Sequence, residues 1–224
     1  KQYIQSGKTE TRFLKFFQEQ VAGIIETLVR YDKYTDNIIL IKKKSSLEKW
    51  EMEELSCFFP GTLIKAAQLL RKDDPNRTIY TNLAKELTHT CIRFYETQPT
   101  RLAPDNIEFS RTRDVQNLLN PEHRLRPETV ESLYYMYTYT KDPIYREWAW
   151  RIFKDINKKC KTTHAFAALQ SVTGHKHQDR MDTFFLSETL KYLYLIFDDN
   201  TVVDLEQWVF NTQAHPFKVF SGWV

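Results

Sequence analysis

The residues of this 224-residue chain best placed to do chemistry are carboxylates beside an arginine at the start of a helix. They lie in Leu125-Arg126-Pro127-Glu128-Thr129-Val130-Glu131-Ser132-Leu133-Tyr134. Proline suits a first helical turn because its missing N–H is an orphan there anyway. Glu128 and Glu131, three apart, then share one face near the positive end of the helix. Such a cluster suits a sugar or an ion. It equally suits a well-dressed helix start, and the segment alone leaves both readings open. Asp105, Asp182 and Glu188 are further carboxylates at helix starts or apolar–polar boundaries. Glycoside hydrolysis needs two carboxyl groups, one acid and one base or nucleophile. The residues alone therefore reach a carbohydrate-active helical domain and stop there.

Other chemistries find little support. Of the histidines, only His175 and His177 lie close in sequence, in a polar loop containing Gly174, and no histidine–cysteine spacing fits zinc. There is no nucleophile elbow and no glycine-rich phosphate loop. A net charge of +3 gives no argument for nucleic acid. No apolar stretch approaches the roughly eighteen residues of a membrane span. The chain starts at Lys1 rather than Met. It is read as an excised or processed piece, so any membrane anchor lies upstream and the missing signal peptide says little about compartment. Asn76-Arg77-Thr78 fits a glycosylation acceptor in a surface loop, weak support for a secretory protein. Three cysteines, Cys57, Cys91 and Cys160, allow one disulfide with one thiol left over.

The elements that must position these residues are mostly helical. Hydrophobics at 42% with only 5 Gly suit a helical domain with one sizeable core. Apolar residues at three–four spacing predict a helix over 10–30, through Phe13, Phe17, Val21, Ile24 and Leu28. Asp36-Asn37 punctuates, and Ile38–Ile41 is β-prone and runs into three lysines. A helix is expected from Glu51 to Leu70, interrupted at Phe59-Pro60-Gly61. Loop from Asp73 to Thr78 and a helix over 80–95 follow, with 99–120 irregular. Helices are then expected over 128–139, 144–159 and from about 182 through Phe197, with an extended tail over 201–210. Helices joined by modest loops suggest stacked antiparallel pairs, all-α with minor β.

Several stretches together resemble the class I α1,2-mannosidases, glycoside hydrolase family 47. Leu125–Ser132 looks like that family's LRPETVES segment. Residues 179–193, DRMDTFFLSETLKYL, resemble its DKMESFFLAETLKYL helix, and 209–216, VFNTQAHP, its closing VFNTEAHP. Residues 145–150, YREWAW, match its YREWGW pattern, and the opening KQYIQSGK is similar to endoplasmic-reticulum members. The matches run in order over nearly the whole chain.

The resemblance implies an (αα)7 toroid of paired helices plugged by a β-hairpin, of which residues 1–224 are the C-terminal part of one catalytic domain. It implies Ca²⁺-dependent, inverting removal of α1,2-linked mannose from high-mannose N-glycans in the secretory pathway. The compartment would be the endoplasmic reticulum lumen or the Golgi, in glycoprotein quality control. Glu128 takes the place of the base that activates water, and Asp105 that of a second catalytic carboxylate. Thr212 matches the calcium-binding threonine. Arg126, Glu131, Phe184 and Glu188 fall on substrate-binding or supporting positions. Cys57 and Cys91 match the family disulfide, a cross-link worth roughly 3–4 kcal/mol, which leaves Cys160 free.

The departures are specific. Glutamate is replaced by Gln213 after the calcium threonine, and shortened to aspartate at Asp105 and Asp182. In Met52-Glu53-Glu54-Leu55 a carboxylate stands where the family's MDHL has histidine. The family's acid carboxylates lie upstream of Lys1, and half a toroid would expose a large apolar face. These departures motivate the alternative of a non-catalytic, mannosidase-like lectin.

Overall fold

The computed structural model describes residues 1–33, 37–44, 47–109, 116–199 and 202–222, with backbone only at 37, 42–44, 47–49 and 116. Two helices come first, α1 (Gln2–Gln5) and α2 (Thr11–Thr27), then hairpins β1 (Val29–Asp32) with β2 (Asn37–Leu40) and β3 (Lys42–Lys44) with β4 (Leu47–Lys49). Strand β5 (Glu51–Glu53) leads through a 3-10 turn (Glu54–Phe58) into α3 (Phe59–Leu69) and α4 (Pro75–Glu96). Strands β6 (Asn106–Phe109) and β7 (Gln116–Asn120) precede α5 (Glu128–Thr140) and α6 (Ile144–Lys159). A short ladder, β8 (Ala168–Leu169) with β9 (His177–Gln178), leads to a π-helix (Phe185–Leu190) running into α7 (Lys191–Leu195). The hairpin β10 (Trp208–Phe210) and β11 (Pro216–Lys218) closes the chain.

Helix α3 packs between α4 and α5, and α5 against α6. One position sets the α3–α5 spacing: a Cβ at Gly61 would lie 3.0 Å from Ser132 Cα. The Gly61 N–H donates to Ser132 Oγ at 2.9 Å, and that hydroxyl in turn donates to the Cys57 carbonyl. Cys57 and Cys91 form the expected disulfide, tying the 3-10 turn to α4. Burial pushes the thiol of free Cys160 up to about 12. The core runs through Leu63, Leu87, Phe94, Leu133, Tyr134, Tyr135, Tyr192 and Phe210. Trp150 and Phe197 meet edge to face at 6.1 Å on a surface where both, with Tyr194, remain exposed. Among the described residues no helix is long and apolar enough to cross a membrane.

Three expectations change. The helix expected from Glu51 begins only at Phe59, because Pro60 has no N–H and fits only a first turn. Upstream, Glu51–Glu53 is a strand instead: Met52 is buried in the core and pairs with Ile107 in an antiparallel ladder. The 99–120 stretch is not wholly irregular: β6 and β7 complete a three-stranded antiparallel sheet with β5. The loop after Asp73 is shorter than expected. Asp74 caps α4 by accepting the Asn76 N–H at 2.9 Å, so the Asn76 tripeptide lies in a first helical turn. Asp36 and Thr201, which figured in the expected punctuation and tail, lie outside the described residues.

Candidate active site

The end of the three-stranded sheet builds the first half of the site. The Asp105 carbonyl accepts the Glu54 N–H at 3.0 Å, and the Asp105 N–H donates to the Asn120 carbonyl at 3.1 Å. Side chains from the 3-10 turn, the β6 entry and the β7 exit are thereby brought to one edge. Asp105 Oδ1 accepts Arg126 Nε at 2.7 Å, Oδ2 accepts Asn120 Nδ2 at 3.0 Å, and Arg124 lies 3.4 Å from Oδ2. The arginine is aimed by a left-handed backbone conformation before it: Leu125, fully buried, has φ +60°. A branched side chain in the left-handed region persists only where its surroundings hold it. Here the Leu125 carbonyl accepts the Thr189 hydroxyl at 2.7 Å.

Glu128 begins α5 directly after Arg126-Pro127, with Glu54 packed against it. Glu54 Oε1 accepts both the Thr129 hydroxyl, at 2.8 Å, and the Thr129 N–H, at 3.3 Å. Burial first, then the neighbouring Glu54 carboxyl, pushes Glu128 up to about 10. Burial also raises Glu54. Behind them His123 is buried and neutral. Its Nδ1–H donates to the Ala103 carbonyl at 2.9 Å, and desolvation pulls the ring down to about 4.

One turn further along α5, Glu131 is the centre of a second cluster. Its Oε1 accepts the Tyr192 hydroxyl at 3.2 Å and Lys1 Nζ at 3.2 Å. Glu188 comes from the π-helix, a form that recurs at functional sites because its wider turn re-aims side chains. Burial, and secondarily repulsion from Glu131, raises Glu188 to about 7. The β10–β11 turn carrying Thr212 approaches this pair. Lys1 Nζ donates to the Asn211 carbonyl at 3.1 Å, and Lys191 Nζ to the Ala214 carbonyl at 2.8 Å. Asn211 Oδ1 holds the turn by accepting the N–H groups of Gln213 and His215, each at 2.9 Å. Two ammonium groups thus already occupy the Asn211 and Ala214 carbonyls, so a hard cation at this turn would rest on the oxygens of Thr212 and on waters. Among the described residues no group of three or more His, Cys, Asp or Glu could hold a metal, so such an ion would depend on backbone, hydroxyl and water oxygens.

The sequence pattern of Glycosyl hydrolase family 47 matches residues 1–219. The chain belongs to this family. It is 35% identical over 223 residues to a mannosyl-oligosaccharide 1,2-alpha-mannosidase of Arabidopsis thaliana, covering 99% of this chain and 39% of the relative. It is 36% identical to an endoplasmic reticulum mannosyl-oligosaccharide 1,2-alpha-mannosidase of Schizosaccharomyces pombe, covering 97% and 46%. The chain thus spans less than half the length of these relatives. The structure of an alpha-1,2-mannosidase from Trichoderma reesei superposes with TM-score 0.85 at 23% identity, covering 97% of this chain and 49% of that one. The fold is accordingly the C-terminal half of the paired-helix toroid of glycosyl hydrolase family 47, with minor β-structure.

The family positions fall into two groups. Arg126, Glu128 and Asp105 meet at the sheet end, and Glu131 and Glu188 meet over the closing turn. Thr212 is exposed in that turn, and Phe184 is half-buried at the head of the π-helix. Asp182 stays apart and accepts Arg180 Nε at 2.8 Å. Two residues were missed. Glu54 is the buried partner of Glu128, and its signal was the departure at the histidine position. Lys65, buried with Nζ 4.9 Å from the centre of the Tyr135 ring, was hidden in the apolar run Leu63-Ile64-Lys65-Ala66-Ala67.

Proposed function

We propose that this chain is the C-terminal part of a secretory-pathway α1,2-mannosidase domain that trims terminal mannose from high-mannose N-glycans with inversion. The observation that carries the reading is the constellation of Arg126, Glu128, Glu131 and Glu188 on one end of the toroid half, in a family whose named relatives are mannosyl-oligosaccharide 1,2-alpha-mannosidases. The endoplasmic reticulum lumen is favoured by the name of the fission yeast relative, and fits a protein holding a buried disulfide. A role in the quality control of glycoproteins is part of the same proposal.

In this reading Glu128 takes a proton from the water that attacks the anomeric carbon. The leaving oxygen is protonated by a carboxylic acid from the toroid half that this chain does not span. Arg126, held by Asp105, donates hydrogen bonds to sugar hydroxyls, while Glu131 and Glu188 accept from them. The Phe184 ring offers an apolar face to the pyranose. The oxygens of Thr212 would hold Ca²⁺, which when bound supplies a fixed positive charge for hydroxyl oxygens of the terminal mannose.

The test is mannose release from a high-mannose oligosaccharide by the full-length protein, with and without a calcium chelator. Chelator-sensitive release supports the enzyme. Glycan binding by a folded protein without any release establishes the lectin reading, which the neutral Gln213 and the strongly raised Glu128 favour.

A further inference from the structure

We propose that Glu54 and Glu128 form a one-proton dyad in which Glu54 is a positioning residue, holding the proton that would otherwise occupy Glu128. This deepens the function proposed above and rests on it for its catalytic consequence, though not for its physical test.

Geometry carries the argument. Glu54 spends Oε1 on Thr129, while its Oε2 is buried without a partner in the protein. Glu128 Oε2 is likewise buried and unpartnered. Because Glu54 binds the N–H and hydroxyl of the residue next to Glu128, the two carboxyl groups pack side by side, and each bears on the other's proton. A single shared proton would serve both buried acceptors, whereas each left bare keeps its desolvation penalty. Two buried carboxylates this close do not both ionise.

The surroundings give the same count. Arg126 and Arg124 face the pair from the loop before α5, but both are engaged by Asp105, and Arg124 also by Glu122. From α4, the Tyr95 hydroxyl reaches Thr129 and Glu54 and carries no charge. His123 is buried and neutral, and Glu131, further along α5, is paired with Lys1. A doubly ionised pair would set four carboxylates, with Asp105 and Glu122, against two arginines already in use. One proton on the pair halves that excess of negative charge.

The dyad resolves how a carboxyl group in so dry a site can act as a base. With the proton on Glu54, Glu128 is a carboxylate steadied by the Glu54 O–H. It accepts one proton from water as the water oxygen bonds to the anomeric carbon and the bond to the leaving oxygen breaks. That oxygen takes its proton from the carboxylic acid of the other toroid half. The dyad ends with two protons and returns one to solvent.

The experiment is infrared difference spectroscopy on the full-length protein at about pH 8.5, far above ordinary carboxyl titration. The wild type minus Glu128→Gln difference is expected to contain the C=O band of a protonated carboxylic acid. In Glu54→Gln the amide donates permanently to Glu128, and the band is expected to fall to a small fraction of its wild-type intensity. Absence of the band in the wild type, or its full retention in Glu54→Gln, overturns the dyad. If either variant does not fold, titration of the wild-type band alone decides: loss only above about pH 9 supports the dyad, and loss below about pH 7 overturns it. Mannose release is scored separately. A band without release refutes the function and keeps the dyad; release without a band refutes the dyad and keeps the function.

Discussion

Arg126 Nε donates to Asp105 Oδ1 at 2.7 Å, and with Arg124 and Asn120 this leaves Asp105 no unengaged oxygen. A carboxylate so occupied acts most directly on the arginine it holds. Asp105→Asn is therefore expected to weaken high-mannose oligosaccharide binding by roughly tenfold, the scale of one charge-assisted hydrogen bond. Arg126→Lys keeps the charge but not the planar donor array, and is expected to lose at least as much. Calorimetric titration of both variants checks this. Undiminished affinity in Asp105→Asn would show that Arg126 needs no counter-ion.

The Glu54–Glu128 pair makes stability depend on pH. Glu128 is pushed up to about 10 and Glu54 is raised beside it, so the folded pair keeps one proton well above the unfolded value of 4.5. The pair's contribution is fully present below pH 4.5 and is lost as pH rises towards 10, because the unfolded chain gives up a proton that the folded pair keeps. Glu128→Gln removes that loss. The variant is expected to melt several degrees above wild type at pH 8, where a change of 1 kcal/mol moves Tm by about 2–4 °C in a domain of this size. At pH 4 the two should nearly coincide. Equal melting temperatures at both pH values would mean that the Glu54–Glu128 pair keeps no extra proton at pH 8.

How much of this was legible in the sequence follows from what each feature depends on. Helices α2, α5 and α6 stand where their apolar spacing puts them, because one-sided burial imprints a period on the chain. Strand β5 was not legible: three residues carry too little alternation, and its partner β6 lies more than fifty residues away. The π-turn that aims Glu188 differs from an α-helix by one hydrogen-bond register, and composition does not encode that. Motif resemblance pointed to Arg126, Glu128, Glu131 and Glu188 because those segments keep the family pattern, and their function remains a proposal. Glu54 was passed over for the opposite reason: it departs from the pattern, and only its packing beside Thr129 and Glu128 gives it a role.

The Cys57–Cys91 bridge spans a sequence separation of 34 residues and joins the Glu54-bearing turn to α4. Cys57→Ser with Cys91→Ser is expected to destabilise the fold by about 2–4 kcal/mol, chiefly by freeing the unfolded chain. Because Ser132 hydrogen-bonds the Cys57 carbonyl, loosening of this turn should also disturb the start of α5. Denaturant unfolding of the double variant, with oligosaccharide binding measured alongside, separates the two effects. Unchanged stability would show that Ser132 and Gly61 suffice to hold the turn.

The Thr212 turn gives a prediction that does not depend on turnover. Two lysine ammonium groups reach the carbonyls flanking it, and Glu131 and Glu188 lie behind them. A bound hard cation would relieve the repulsion between those carboxylates and stabilise the folded state in proportion to its saturation. At a hundredfold excess over Kd the gain is about 2.7 kcal/mol. Calcium is accordingly expected to raise Tm of the full-length protein by several degrees over the chelated form, and magnesium less, since it sheds its waters reluctantly. Thr212→Val keeps the backbone carbonyl but removes the hydroxyl, so most of the calcium shift should be lost while the chelated Tm hardly moves. Thermal melts with calcium, magnesium and chelator decide the matter. Identical melting temperatures in all three would exclude this turn as a calcium site and remove Thr212 from the proposed machinery.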